Sequence, residues 1–556
     1  MDSLSLWNTR QLRDHYSSAS DPAVRCDLDK LSYCLNDLAE QVGVAERSPS
    51  EHDQAIKKLE VVRDIMASLD ALGKQVGMDR GPAARRLLRM IQDRLDIAQA
   101  DFEELDGLLT RGYEGGHVCD FACRRVKRLF LDSQTRAWLR AVEDVAEGLT
   151  IGRKHRPLSA LRTDILGRDE KTSKHGMLEI DQLLVTLSPW AETARTNLVQ
   201  LHQVAAEAWP DDRSVGADSD CGTSDEKTIR EVIASQTDLA RRYMSLKAFL
   251  MRQDEPTERT LYAPAPEPVD LATEPDEAMA MAIAGLSHQI PEIVPLLDIV
   301  RSEQLCQPRV YADGDVPYVE PGFAQRPPLC VALSDGPQAM FDLAHALTRA
   351  AGFVAAWDQG PLRRQADALF RQVCACYAHG CMGTYLAKHA STRQERLAVA
   401  CLLLEQMFRS MFGGAIRRRF QMEMAGRFLS NSGGQPLQTD AIWAKAHRDV
   451  LGHDVMFSTG FSRWWMLFPT LLDPSATTSD MLPGISAGWA LYVRHGEHPA
   501  DTGRAFVRAL EHGNARSGKD LLVDIGMADD ASDWIKSALL AFERELSWAE
   551  TLAVKS

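Results

Sequence analysis

Apolar residues recur at spacings of three and four along most of this chain, and that period leaves few architectures open. From Asp27 to Val42, Leu28, Leu31, Leu35 and Leu38 fall on one stripe, as an amphipathic helix requires. Further helical patterns run through Ala55–Gly73, Ala83–Leu109, Ser133–Leu149, Gly176–Ala208 and Glu226–Arg252. Gly115-Gly116 and the run Arg153 to Pro157 punctuate them as turns. Strand-like stretches are few, around Arg309–Tyr311 and Leu329–Leu333. No period of about 20 to 50 residues recurs, which excludes a helical repeat array. At 556 residues the chain exceeds one ordinary core, so two lobes are expected.

Charge and composition narrow the partners. A formal net charge of −15 argues against nucleic acid, whose backbone demands clustered Lys and Arg. The basic run Arg417-Arg418-Arg419 reads as a solvated helix face. No apolar stretch reaches the ~20 residues that span a bilayer, so no membrane partner is expected. The first residues, Met1 to Trp7, lack the basic-then-apolar pattern of a signal peptide. Eleven cysteines form an odd set, and Cys330 and Cys401 sit inside apolar segments. Free thiols in a reducing cytoplasm are the economical expectation.

One short segment carries the chemistry. Phe341 to Arg349 reads F-D-L-A-H-A-L-T-R, an apolar, helix-compatible run that delivers His345. A zinc-peptidase helix of H-E-x-x-H type places two histidines one turn apart on one face, with the intervening Glu activating the metal-bound water. Here Ala346 stands where that Glu would be, and Arg349 where the second His would be. Arginine stays protonated and repels a metal cation. Alanine cannot act as a base.

The surroundings extend the match. Pro328 to Ser334 followed by Phe341 to His345 resembles the strand, loop and F-T-L-A-H-E-L-G-H helix of the oligoendopeptidase F family of zinc metallopeptidases. Phe370 to Cys376 resembles the family helix that supplies the third zinc ligand, a Glu, and puts Gln372 at that position. Gln keeps the shape of Glu without its charge and is a poor zinc ligand. Met411 to Phe420, Trp465 to Pro469 and Leu521 to Trp534 resemble further family segments in the family's order. In the family, a His and a tyrosine-rich stretch that hold substrate follow the Trp-to-Pro segment. Here Thr470 to Asp480 contains neither His nor Tyr.

The resemblance implies a mainly α, two-lobed, oligoendopeptidase F-like helical fold, with a deep central cleft and a small antiparallel β-sheet at its edge. Such a sheet edge could still align an extended peptide through backbone groups alone. The expected divisions are an N-terminal helical lobe over 1–209, a polar loop over 210–225, and a peptidase-like lobe over 226–556 with the degenerate zinc-site helix at 341–352. The expected function is that of a catalytically inactive metallopeptidase homologue, with no metal and no cofactor. It would bind a peptide, a small acidic molecule or a protein partner in the former active-site cleft. The alternative is a repurposed, metal-independent enzyme of a specialised biosynthetic pathway, with His345 as its acid or base. An active peptidase with unusual ligands is the least favoured reading.

The candidate binding residues are His345, Arg349, Gln372, Trp465 and Thr470. Arg349 has two readings: an anion anchor in an open cleft, or a filler paired with Asp342 or Asp358. His345 is either a functional group or a hydrogen-bonded core histidine. Cys374, Cys376, His379 and Cys381 are dense, but their helical positions do not converge on one point, which favours packing over a metal. His495-Gly496-Glu497-His498 has metal-binding residue types in what reads as a turn. Trp464, Trp465, Phe457, Phe461 and Phe468 line either a cleft or, at helical spacing, a core. No phosphate-cradling G-x-x-x-x-G-K-[ST] and no G-x-S-x-G nucleophile elbow occurs.

Overall fold

The structure is a computed structural model. It describes residues 22–42, 54–63, 180–189, 224–263, 275–303, 305–308, 318–319, 330–332, 338–360, 363–430, 439–468, 471 and 481–554, with single positions between 65 and 105 and at 191 and 193. Helices dominate: α1 (Pro22–Val42), α2 (Ser224–Ala234), α3 (Thr237–Leu250), α4 (Glu258–Tyr262), α5 (Pro275–Gln289), α6 (Val294–Ser302), α7 (Gln338–Ala355) and α8 (Ala368–His389). They continue through α9 (Arg393–Ser430), α10 (Thr439–Leu451), α11 (Met481–Glu497), α12 (Pro499–Leu510), α13 (Gly518–Asp524) and α14 (Ala531–Val554).

Local chemistry explains where the central helices begin. Asp367 caps α8 by accepting from the Phe370 amide at 2.7 Å, satisfying one orphan donor of the first turn. Ahead of α9, the Glu395 amide donates to Thr392 Oγ1, while Glu395 Oε2 accepts from the Thr392 and Ser391 amides. That is a reciprocal capping box, written in the sequence as T-R-Q-E.

Two apolar clusters organise the described residues. The smaller one joins Val24 to Leu38 of α1 with positions from Ala55 to Leu105. The larger runs from Ile180 to Ala553. Ile180, Leu183, Leu184, Leu187 and Ala191, grouped by sequence with the N-terminal lobe, pack in this larger core, and Trp464 Nε1 donates to Asp181 Oδ1 at 3.3 Å. Between α3 and α9 the larger core buries charge: Lys247 Nζ lies 2.8 Å from Glu405 Oε2, and Arg409 Nε lies 2.5 Å from Glu405 Oε1. Burial drags the Lys247 ammonium down to about 8, opposed by the attraction of Glu405.

Three short strands form one sheet in the order β1 (Cys306–Pro308), β3 (Cys330–Ala332), β2 (Tyr318–Val319). The sheet is mixed rather than antiparallel: β1 pairs parallel with β3, and β2 pairs antiparallel with it. The chain reverses between β1 and β2 and again between β2 and β3, which restores the direction of β1. The segment 309–311 lies outside the described residues.

The arginine run corrects another expectation. Arg418 is 7% exposed, and Arg419 pairs with Asp449 of α10 at 2.7 Å. Helix α9 is packed on several sides by other helices, so this face meets protein rather than water. The stretch Arg393–Met424 is apolar enough by length and composition to cross a bilayer, yet 72% of its most apolar window is buried inside the fold.

Helix α8 lies against both α7 and α11, and its approach to α11 is unusually close. A Cβ at Gly484 would stand 2.5 Å from the Leu369 carbonyl oxygen and 2.7 Å from Gln372 Cβ. One turn on, a Cβ at Gly488 would stand 2.7 Å from Cys376 Cβ and 2.9 Å from the Val373 carbonyl. Gly484→Ala therefore gains ~1 kcal/mol of helix propensity but forces backbone apart, and we expect a net loss of about 1–3 kcal/mol. Gly496 on the same helix meets nothing within 4 Å, so Gly496→Ala should be neutral or mildly stabilising. Urea unfolding of the two variants checks this; equal effects would contradict the close packing.

Candidate functional site

Helix α7 carries His345 and Arg349 one turn apart, both half-buried, in a helix otherwise almost wholly buried from Ala339 to Val354. Helix α8 supplies Gln372 and, two turns later, His379. The two elements bring His345 and His379 together: their rings meet edge to face with centroids 5.9 Å apart and planes at 89°. Phe341 closes a further side of His379 at 5.9 Å. His379 was missed as a partner because nothing in the sequence connects it with position 345. Its seven-residue offset from Gln372, two turns on one face, is the available signal.

Both rings are neutral. Burial, then His379 and the Arg349 cation, hold the His345 pKa well below its ordinary value. Burial alone takes His379 down to about 4. His379 Nε2 is buried and has no hydrogen-bond partner among the described residues, a costly state for an imidazole nitrogen.

The residues present do not fit the zinc ion that H-E-x-x-H peptidases use. The donor set is one neutral imidazole at 345, a methyl at Ala346, a guanidinium at Arg349 and a neutral amide at Gln372. Among the described residues no three His, Cys, Asp or Glu side chains are placed to share one ion. The cysteines point apart: Cys376 lies under Gly488, Cys374 lines a pocket beside Arg349, and Cys381 neighbours Tyr377. Burial pushes the Cys374 and Cys381 thiols up to about 12, leaving them protonated and unreactive at neutral pH.

Other candidates separate. Trp465 is 1% exposed and its indole N–H donates to Asp440 Oδ1 at 2.8 Å, which makes it a core residue. Thr470 lies outside the described residues. Asp342 accepts from Gln338 Nε2 at 2.9 Å, and Asp358 is exposed, so losing Arg349 would strand no buried carboxylate at 358. The His495 cluster is not a turn: α11 runs through Glu497. His495 turns into the core, where its Nδ1 and the Tyr377 hydroxyl are 2.8 Å apart, while Glu497 and His498 are exposed. The structure also reveals a buried His447, absent from the sequence reading, with Nε2 3.0 Å from the Tyr262 hydroxyl and Nδ1 2.9 Å from the Trp443 carbonyl oxygen.

No protein-family model matches the sequence, and no curated protein is significantly similar to it. Solved structures are similar over nearly the whole length. Oligoendopeptidase-F from Enterococcus faecium superposes with a TM-score of 0.66 at 14% identity, covering 95% of this chain and 98% of that one. A protein from Chlamydophila abortus assigned as a peptidase gives 0.66 at 13% identity, covering 99% of both chains. PZ peptidase A, solved with an inhibitor, gives 0.66 at 10% identity, covering 94% of this chain and 97% of that one. The chain has the mainly helical fold of oligoendopeptidase F-like peptidases, as its motifs implied.

The depressed histidines make stability depend on pH. Between pH 6.5 and about 4 the unfolded chain binds a proton at position 379 that the folded chain refuses. Stability is full above that window and falls as pH drops through it, by ~1.4 kcal/mol per pH unit for this one group. His379→Phe removes the contribution, so unfolding measured at a series of pH values should show a shallower fall. Identical slopes for variant and wild type would place a readily protonated imidazole at 379.

Proposed function

We propose that this chain is a catalytically inactive metallopeptidase homologue. It uses the former active-site region to hold a small acidic ligand, a peptide or a protein partner. The observation that carries the reading is Arg349 on α7 beside His345, a fixed cation where a metal ligand would be required. By the resemblance, Ala346 and Gln372 stand where the family carries its general base and a carboxylate ligand. A guanidinium supplies a permanent charge and paired N–H donors, which suit a carboxylate or phosphate and need no metal. Free cysteines among the described residues accord with a cytoplasmic setting, which we include in the reading.

One observation favours a second reading, a metal-independent enzyme. The unpartnered His379 Nε2 lies on a ring that meets His345, and two neutral imidazoles can accept protons. At neutral pH they would serve as bases, not acids, because both are already deprotonated.

The test is hydrolysis of a quenched-fluorescent peptide library, with and without added zinc. No cleavage above background is expected; turnover lost on His345→Ala would overturn the reading. The combined variant Ala346→Glu, Arg349→His, Gln372→Glu should recover zinc binding more readily than proteolysis. It rebuilds the donor set but not the His and Tyr missing from 470–480. Cleavage by that variant at ordinary peptidase rates would show the 470–480 segment to be competent.

A further inference from the structure

We propose that His288 and His389, both exposed where α5 and α8 end, together hold one divalent transition-metal ion of the kind imidazoles bind, Ni²⁺, Cu²⁺ or Zn²⁺. The pair shares no residue with His345, Arg349 and Gln372, so it stands apart from the degenerate donor set.

Close packing of two helices brings the rings together. A Cβ at Gly285 would stand 2.8 Å from Met382 Sδ and 3.3 Å from Tyr385 Cδ1, so the bare glycine lets α5 settle onto α8. One turn further along each helix, His288 follows Gly285 by three residues and His389 follows Tyr385 by four. The two imidazole centroids lie 6.3 Å apart with planes at 83°. Tyr385 walls the pair, 4.1 Å from the His389 ring and 5.9 Å from the His288 ring. With metal–nitrogen distances of about 2 Å, two imidazoles on one tetrahedral ion have centroids about 5 Å apart, so a movement of about 1 Å closes the site. No hydrogen bond holds the His288 ring among the described residues, which leaves it able to turn.

His389 is already arranged as a ligand. Its Nδ1 lies 2.8 Å from the Tyr385 carbonyl oxygen. A carbonyl can only accept, so Nδ1 carries the proton and Nε2 keeps its lone pair. Metal-ligating histidines donate their second N–H to a backbone carbonyl or a carboxylate in this way, which fixes ring and tautomer. Electrostatics favours a cation at this place. Helices α5 and α8 both terminate here, and the unsatisfied carbonyls of a last helical turn carry partial negative charge. The chain as a whole carries −15 and draws cations towards it. The exposed Lys388 opposes them, and two imidazoles completed by water bind less firmly than a four-ligand structural site. The affinity is therefore expected to be micromolar, with the ion lost on gel filtration. Mg²⁺ and Ca²⁺ take oxygen ligands and should not compete.

The test is calorimetric titration of the full chain, stripped with chelator and desalted, with zinc chloride at neutral pH. One micromolar site is expected, unaffected by excess Mg²⁺. His288→Phe and His389→Phe each keep an aromatic ring in the stack and remove one donor, and each should weaken the site by about tenfold or more. Both positions are exposed, so the variants should fold as the wild type does. Copper(II) bound in place of zinc gives an independent reading by electron paramagnetic resonance: couplings from two nitrogens in the wild type, and from one in either variant. No micromolar site, or affinity retained in both Phe variants, would overturn the proposal. A site lost in one variant and kept in the other would show a lone histidine, and would overturn the shared ion. His345→Ala should leave binding unchanged; loss of the site in that variant would place the ion at the degenerate helix instead. Peptide cleavage enters neither readout, so this proposal can fail while the inactive-homologue reading stands, and the reverse.

Discussion

The close contact of α8 with α11 is the constraint on which the site depends. Gly484 and Gly488 let the backbones approach until a single added carbon would meet a carbonyl oxygen. That approach sets Leu369, Gln372, Val373 and Cys376 in fixed positions, and α8 in turn packs on α7. Gln372 is therefore held by packing whatever its charge. An amide at this position fills the volume of a carboxylate without its charge, which the packing of the helix pair does not require.

The charges around this packed helix pair differ from those a zinc site requires. A zinc site of the H-E-x-x-H kind balances a divalent cation against a carboxylate ligand and a carboxylate base. Here α7 presents a guanidinium, and positions 346 and 372 are neutral. Both histidines stay unprotonated: burial opposes a positive charge on each, and at His345 the neighbouring His379 and the Arg349 cation add to it. Permanent positive charge with neutral imidazoles suits holding an anion better than activating water.

Much of this was legible in the sequence because it is local. The leucine stripe of α1, the helix carrying His345 and Arg349, and the capping box before α9 all follow from spacing along one element. The helix read at 341–352 runs three residues further at each end, Gln338–Ala355. What could not be read is tertiary. His379 meets His345 only because α7 and α8 pack. Trp465 illustrates the reverse failure: an aromatic that reads as cleft lining is closed off by a hydrogen bond to Asp440. The stretch at His495 reads as a turn but continues the helix through Glu497, which turns His495 inward and leaves Glu497 exposed. The sheet's mixed direction depends on how many times the connecting chain reverses, which composition does not encode.

Elemental analysis of protein purified without chelator, paired with the His345→Ala variant, tests the central claim most directly. Two neutral imidazoles beside a guanidinium, with no third His, Cys, Asp or Glu placed to join them among the described residues, hold a divalent ion poorly, so zinc should be far below stoichiometric in both proteins. Stoichiometric zinc in the wild type that disappears on His345→Ala would contradict the claim and restore a metal centre to this helix.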